Sequence, residues 1–351
     1  MPFDPLPPDT VMKTVNLKKY YQVGGLFAPK RVVKAVDGVD LSLKDEVYCI
    51  VGESGCGKST FARVVVGLEE PTEGDVLIRV RDETASILKM MGEKVKGNTV
   101  SYKHLSPKGK RVVKREIQMV WQDPYSSVDP RMKVWEAVAE PLIIHKLVKD
   151  KKEARERAIE ILKKVKLPED VADRYPHQLS GGQRQRVVIA RALSVNPKVI
   201  VADEPVSMLD VSIRAEIINL MRQLHESEGT SMIVITHDLS TTPHLCDRIG
   251  IMYLGRVVEE GPTREVIEDP LHPYTKALLA AVLEPDPENR ERELVVPIKG
   301  EVSRPPERGC RFWPRCVALD MHKELEGLCK YEEPGYFVKG ERKVACWLHK
   351  G

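Results

Sequence analysis

The sequence contains no apolar run approaching the roughly 20 residues that a membrane-crossing helix requires. Its first residues, MPFDPLPPDT, lack the basic start and apolar core of a signal peptide. The expectation is a chain that stays in the cytoplasm and meets a membrane only through a partner. Excess charge of one sign is also missing. The 55 Lys and Arg residues face 52 Asp and Glu, a net +3, which is too little to argue for nucleic acid as a bulk partner. No internal repeat is present. The 351 residues exceed one typical domain and fall short of two large ones. With 42% hydrophobic and 30% charged residues, the balance is that of a soluble globular protein.

What is there is unevenly placed. Between Lys89 and Arg115 nine basic residues accompany a single acid, Glu93. The surrounding stretch Asp82–Lys114 has no firm period and reads as a solvated insertion. Of seven cysteines, Cys49, Cys56 and Cys246 are scattered, whereas Cys310, Cys316, Cys329 and Cys346 crowd into the C-terminal end. In a reducing cytosol such a cluster points to metal before disulfide.

From Val11 to Asp45 the alternation in VKAVDGVDLSL suits short strands with an Asp-Gly turn inside. The unbroken apolar runs VYCIV (Val47–Val51), KVIVADEP and SMIVITHD read as strands buried on both faces. FARVVVGL, EARERAIEILKKVKL, IRAEIINLMRQLHES and HPYTKALLAAVL read as helices, and another is expected to begin at Ser180. RIGIMYLGRVVEEG reads as a hairpin with Gly255 in its turn. Strands alternating with helices imply a mainly parallel sheet covered on both faces.

Three motifs carry chemistry. Gly52-Glu-Ser-Gly-Cys-Gly57-Lys58-Ser59 lies between a buried strand and a helix, the context that a phosphate site demands. Its glycines let successive amides face phosphates at a helix N-terminus. Ser54, Gly55, Cys56 and Thr60 complete that cradle, Lys58 can reach the β- and γ-phosphates, and the Ser59 hydroxyl can ligate Mg²⁺. The second motif ends a strand in Asp203 and Glu204. Asp203 sits where Mg²⁺ would bind, and Glu204 can polarise the attacking water. The third is Leu179-Ser180-Gly181-Gly182-Gln183.

LSGGQ between a phosphate loop and an acidic strand resembles the signature of ABC ATPases. The resemblance implies a P-loop NTPase fold of the α/β class with an antiparallel β subdomain and a helical subdomain at about 123–196. It places Gln122 in the Q-loop, as a catalytic group and Mg²⁺ ligand, and Asp210 in the D-loop. His237 becomes the switch histidine, and Tyr21, with Tyr20 as second choice, the aromatic that stacks on adenine. It further implies that Ser180, Gly181, Gly182 and Gln183 act across a dimer on ATP held by a partner cassette. Met208 departs from the commoner Ala in the D-loop, and Trp121 replaces the usual Phe before Gln122.

REIQMVWQDPYSSVDPRMKV, DPLHPYTKALLAAV and the terminal GEVSRPPERGCRFWPRC are similar to oligopeptide/dipeptide importer ATPases, a likeness that covers nearly the whole chain. The implied organisation is an N-terminal tail at 1–10, a cassette at 11–283, a linker at 284–297 and a small Cys-rich C-terminal domain at 298–351. Implied partners are a second, homologous ATPase in a heterodimer, two transmembrane permease subunits and, indirectly, an extracytoplasmic solute-binding protein. Nucleic acid is not among them, and the implied place is the cytoplasmic face of the cell membrane. Peptides are the expected cargo, with oligosaccharides or nickel as alternatives. A soluble non-transport ABC ATPase is the competing class; tandem cassettes or a coiled-coil insertion, which usually mark it, are absent. For Cys310-x5-Cys316-x12-Cys329-x16-Cys346 the resemblance implies a [4Fe–4S] cluster. The wide spacings disfavour zinc, and structural cysteines without metal are the third reading.

Overall fold

A computed structural model describes residues 3–24, 31–281, 297–300 and 306–350. The expected linker therefore lies almost wholly outside the described residues. In chain order the strands are β1 (Thr10–Val23), β2 (Arg31–Val39), β3 (Ser42–Lys44), β4 (Val47–Val51), β5 (Glu73–Arg79) and β6 (Thr99–Ser101). There follow β7 (Ile117–Val120), β8 (Val199–Asp203), β9 (Ser231–Thr236), β10 (Arg248–Tyr253), β11 (Arg256–Pro262), β12 (Phe337–Lys339) and β13 (Arg342–Val344).

One sheet is antiparallel, ordered β2-β1-β5-β6 with β3 also on β1. The Asp37-Gly38 pair expected to turn the chain lies inside β2 instead. Leu17 pairs with Val39 and Lys18 with Asp37, so Gly38 is skipped in the register. Its φ of +77° makes it the extra residue of a bulge, a role glycine fills without a steric penalty.

The second sheet runs β12-β13-β11-β10-β4-β9-β8-β7. Five neighbours, β10, β4, β9, β8 and β7, are parallel. The uninterrupted apolar runs behave as the physics of a doubly covered sheet requires: every residue of β4, β8 and β9 is buried. Parallel alignment brings the ends of β4, β7, β8 and β9 to one edge, where α/β sheets place their ligands.

Helices Val134–Ile144, Lys151–Lys164 and Gly181–Leu193 are inserted between β7 and β8. Val138, Leu162 and Val188 join them in one apolar cluster. The third begins where the sequence says it should. Ser180 Oγ accepts the Gln183 amide at 3.3 Å, and Gln183 Oε1 accepts the Ser180 amide at 3.1 Å, a reciprocal capping box. The basic stretch after Asp82 differs from the expected featureless insertion. It holds helices Asp82–Met90 and Pro107–Val113, the latter capped by Ser106 with proline in its first turn.

The C-terminal residues do not form the separate Cys-rich domain that the family resemblance implied. Their hairpin extends the main sheet, with Val344 opposite Glu259 and Lys343 opposite Glu260. Phe312 is fully buried against Tyr253 and Tyr274, with ring centroids 5.3 and 5.5 Å away, inside the cluster that holds the cassette together. Cys49 and Cys246, 197 residues apart in the sequence, come together in the core with Cα atoms 5.8 Å apart, a contact that their scattered positions did not announce.

Candidate nucleotide site

The backbone leaving β4 is shaped by two close approaches. A Cβ on Gly57, whose φ is +111°, would lie 1.9 Å from the carbonyl oxygen of Ala35. One on Gly52 would lie 2.2 Å from that of Met252. Only glycine fits either position. The helix Lys58–Val65 starts immediately afterwards, with no acidic side chain in its first turn to compete for its free amides. Lys58 is buried, and its ammonium is held by the carbonyls of Gly52 at 2.7 Å and Glu53 at 3.0 Å. Those contacts keep a desolvated cation satisfied.

Ser54, Gly55, Cys56, Gly57, Lys58, Ser59 and Thr60 line one cleft of about 1130 Å³ together with Gln122, Glu204 and His237. Beneath it, Ser59 Oγ donates to Asp203 Oδ1 at 3.1 Å. Burial is the main force on Asp203 and raises its carboxyl above the ordinary range; the Ser59 hydrogen bond opposes this and the Glu204 charge reinforces it.

Glu204 is the focus of the polar groups. Gln122 Nε2 donates to its Oε2 at 2.9 Å, and His237 Nδ1 lies 3.1 Å from its Oε1, a geometry that asks for the imidazole proton on Nδ1. The side chain of Glu204 is 17% exposed and that of His237 58%, so the histidine forms the solvent-facing side of the pair. Glu204 also adopts φ +47°, a left-handed conformation that costs about 1–3 kcal/mol in a non-glycine residue. Its amide is tied to the Ile235 carbonyl at 2.9 Å, which holds that conformation in place.

Other expected residues stand apart from this cleft. Tyr21 is not on its wall; the phenol hydrogen-bonds Glu69, with Lys19 over the ring. Tyr20 is bonded to Asp37. Val23, Arg31, Val32 and Val33 line the cleft on that side. Ser180, Gly181, Gly182 and Gln183 lie outside it, and so does Asp210, the N-cap of helix Val211–Glu228. Gly182 is packed on that helix, since a Cβ there would come 2.6 Å from Ile213 Cγ2.

Residues to which the sequence attached no role in the site complete the wall. Pro306, Arg308, Gly309, Arg311 and Glu333, all C-terminal, line the same cleft. Arg315 pairs with Glu53 of the glycine-rich loop across 262 positions.

The four C-terminal cysteines line a second, small cavity with apolar walls, among them Phe312, Leu319 and Leu325. Burial pushes the thiols of Cys310 and Cys346 up to about 12, that of Cys329 to about 11, and raises Cys316 as well. Without a bound cation they are neutral thiols. Among the described residues no three His, Cys, Asp or Glu side chains are grouped to hold a metal ion.

The raised Asp203 carboxyl has a consequence for stability. The folded state binds that proton more tightly than the unfolded chain, so ionised Asp203 weakens the fold above its folded pKa. Asp203→Asn should therefore raise the melting midpoint of nucleotide-free protein at pH 7. The gain should shrink as pH falls toward about 4, where the unfolded carboxyl also protonates. Melting curves across pH check this, and a midpoint unchanged at pH 7 would contradict it.

Residues 36–207 match the family described as ABC transporter, and residues 258–320 match the oligopeptide/dipeptide transporter C-terminal region. The putative oligopeptide transport ATP-binding protein YkfD of Bacillus subtilis is 42% identical over 97% of this chain and 96% of its own length. The dipeptide transport ATP-binding protein DppF of Escherichia coli is 40% identical over 96% and 94%. A dimeric ATP-binding cassette, MJ0796, solved in a post-hydrolysis state with ADP and Pi, superposes with a TM-score of 0.59. It is 32% identical, and the match covers 72% of this chain and 99% of the cassette. With a glycine-rich loop, an acidic strand end and His237 at one sheet edge, the chain belongs to the ABC transporter family, as an ATPase of the oligopeptide/dipeptide-transporter type.

Proposed function

We propose that this ATPase powers the import of short peptides or related small solutes, hydrolysing ATP held between two cassettes. The observation that carries the reading is the convergence of Lys58, Ser59, Gln122, Asp203, Glu204 and His237 on one edge of the parallel sheet. Peptides are favoured because relatives at 40–42% identity over most of the chain are named for oligopeptide and dipeptide transport.

The amides from Ser54 to Thr60 would bind the phosphates, with Lys58 exchanging its two carbonyl partners for phosphate oxygens. Magnesium would be held by Ser59 Oγ and Asp203 Oδ1, hard oxygen donors 3.1 Å apart, with Gln122 on the wall of the same cleft. Such an ion would neutralise charge on the β- and γ-phosphates. Glu204 is the general base for the attacking water, and His237 and Gln122 hold its carboxylate in place.

The signature residues would complete the site in trans. Their position outside their own chain's cleft supports this, as does a helix start at Gly181 and Gly182 whose amides can cap a γ-phosphate. Asp210 would serve the same dimer seam. Two permeases, a second ATPase and indirectly an extracytoplasmic binding protein are the assembly this implies, at the cytoplasmic face of the membrane. No helix among the described residues is long and apolar enough to cross a bilayer. Ile143 and Ile144, exposed side by side at the end of helix Val134–Ile144, support a docking face for membrane subunits.

For Cys310, Cys316, Cys329 and Cys346 the iron–sulfur reading is supported by four thiols around one cavity with apolar walls. A cluster accepts sulfur donors set farther apart than a single tetrahedral ion does. It carries no step of ATP hydrolysis. Anaerobically purified protein is expected to be brown with about four irons per chain; colourless protein with one zinc per chain would contradict this.

Glu204→Gln tests the catalytic assignment. The variant should bind ATP and associate with its partner cassette yet turn over at least about a hundredfold more slowly, as loss of a general base requires. Steady-state hydrolysis together with gel filtration in ATP reads both. Near-normal turnover would move the base elsewhere.

A further inference from the structure

Glu53 is the second residue of the glycine-rich loop, and three of its groups are engaged at once. Its carbonyl accepts the Lys58 ammonium at 3.0 Å, and its amide donates to the Tyr274 hydroxyl at 3.0 Å. Its carboxylate meets the guanidinium of Arg315. Arg315 Nη1 lies 3.0 Å from Oε2 and 3.3 Å from Oε1, and Nη2 lies 3.3 Å from Oε1. The arginine side chain is only 8% exposed, whereas Glu53 is 25% exposed.

Arg315 is itself braced. Its cation lies 5.9 Å from the centre of the Tyr253 ring, its amide donates to the Phe312 carbonyl at 2.9 Å, and its carbonyl accepts the Lys299 amide at 3.0 Å. A second bridge runs beside it, from Arg311 to Asp37 of β2, with Glu333 on the other side of the guanidinium at 3.0 Å. The loop from Cys310 to Cys316 thus touches the nucleotide site twice, once at the phosphate end and once at β2.

We propose that Arg315 is a positioning residue for ATP binding: by holding Glu53 in a bidentate grip, it fixes the carbonyl that stations Lys58 and sets the loop in its phosphate-ready shape. The claim rests on the reading of Gly52–Thr60 as the ATP phosphate cradle. Desolvation gives the grip its strength, because a nearly buried guanidinium with one carboxylate partner has no equivalent solvated alternative. Geometry gives it specificity, since the planar fork spans both carboxylate oxygens and an ammonium cannot. A loop held before ATP arrives loses less freedom on binding than a loop that must be ordered. The ground state and the transition state gain equally from this, so the effect belongs in affinity and not in turnover.

The test uses the full-length chain with Mg²⁺ and ATP, titrated calorimetrically and assayed for hydrolysis, with melting midpoints in parallel. Arg315→Gln should weaken ATP binding and raise KM by about tenfold while kcat stays within about threefold. Arg315→Lys, which keeps the charge and loses the fork, should show a smaller rise of the same kind with a midpoint close to that of the parent. Glu53→Gln should mimic Arg315→Gln, and the double variant should be little worse than either, because one interaction is removed in all three. If all variants bind ATP as the parent does and only melt earlier, the pair is structural and the proposal is overturned. Additive losses in the double variant, or a fall in kcat with unchanged KM, would overturn it as well. A parent protein that fails to bind ATP would instead overturn the assignment of the cradle.

Discussion

The carbonyl of Ala35 lies where a Cβ on Gly57 would have to be, and that close approach decides where the helix Lys58–Val65 can begin. Because the helix starts there, its free amides open into the cleft and the Lys58 side chain folds back over the loop that precedes it. Since β4 lies between β10 and β9, the loop emerges level with the ends of its parallel neighbours. Asp203, Glu204 and His237 then need no long reach to meet Ser59 and the cleft. A substitution as small as a methyl group at Gly57 would move the helix, and with it the amides and the Lys58 side chain that border the cleft.

The same edge of the sheet concentrates features that work against stability. Asp203 is buried with a raised carboxyl, Lys58 is desolvated, and Glu204 sits in a left-handed conformation. Each is tolerated because the surrounding structure over-determines it. Hydrogen bonds from Ser59 and Gln122, the two loop carbonyls and the Ile235 tether take the place of solvent. Such strain and desolvation, gathered at one site, are what a preformed catalytic centre requires. Around it the central strands β4, β8 and β9 are buried along their whole length.

Much of this was legible in the sequence, for identifiable reasons. Uninterrupted runs such as VYCIV have one stable place in an α/β protein, between two covered faces. Ser180 and Gln183 carry a helix start in their own side chains, and the glycine-rich loop announces itself because few other sequences fit its backbone. The Leu254–Gly255 turn joins β10 to β11 as the hairpin pattern required. Less was legible where the signal is distant or weak. Helix Asp82–Met90 buries only Thr84, Ala85 and Leu88, too few to print a clear period over nine residues. The strands β12 and β13 have three residues each and no alternation long enough to read, so their union with the main sheet was invisible. Arg315 looks like any surface arginine until it is found 262 residues away against Glu53. The cysteines were legible as a group, and the structure gathers them around one cavity, but their packing with Phe312 ties them to the cassette and not to a domain of their own.

The proposed function requires the loop that follows β4 to take up the ATP phosphates. Hydrogen–deuterium exchange of the intact chain, with and without Mg²⁺ and ATP, measures this directly at the backbone. Strong ATP-dependent protection should appear in the amides from Ser54 to Thr60. Unchanged exchange in that loop, with protection elsewhere at saturating nucleotide, would contradict the account.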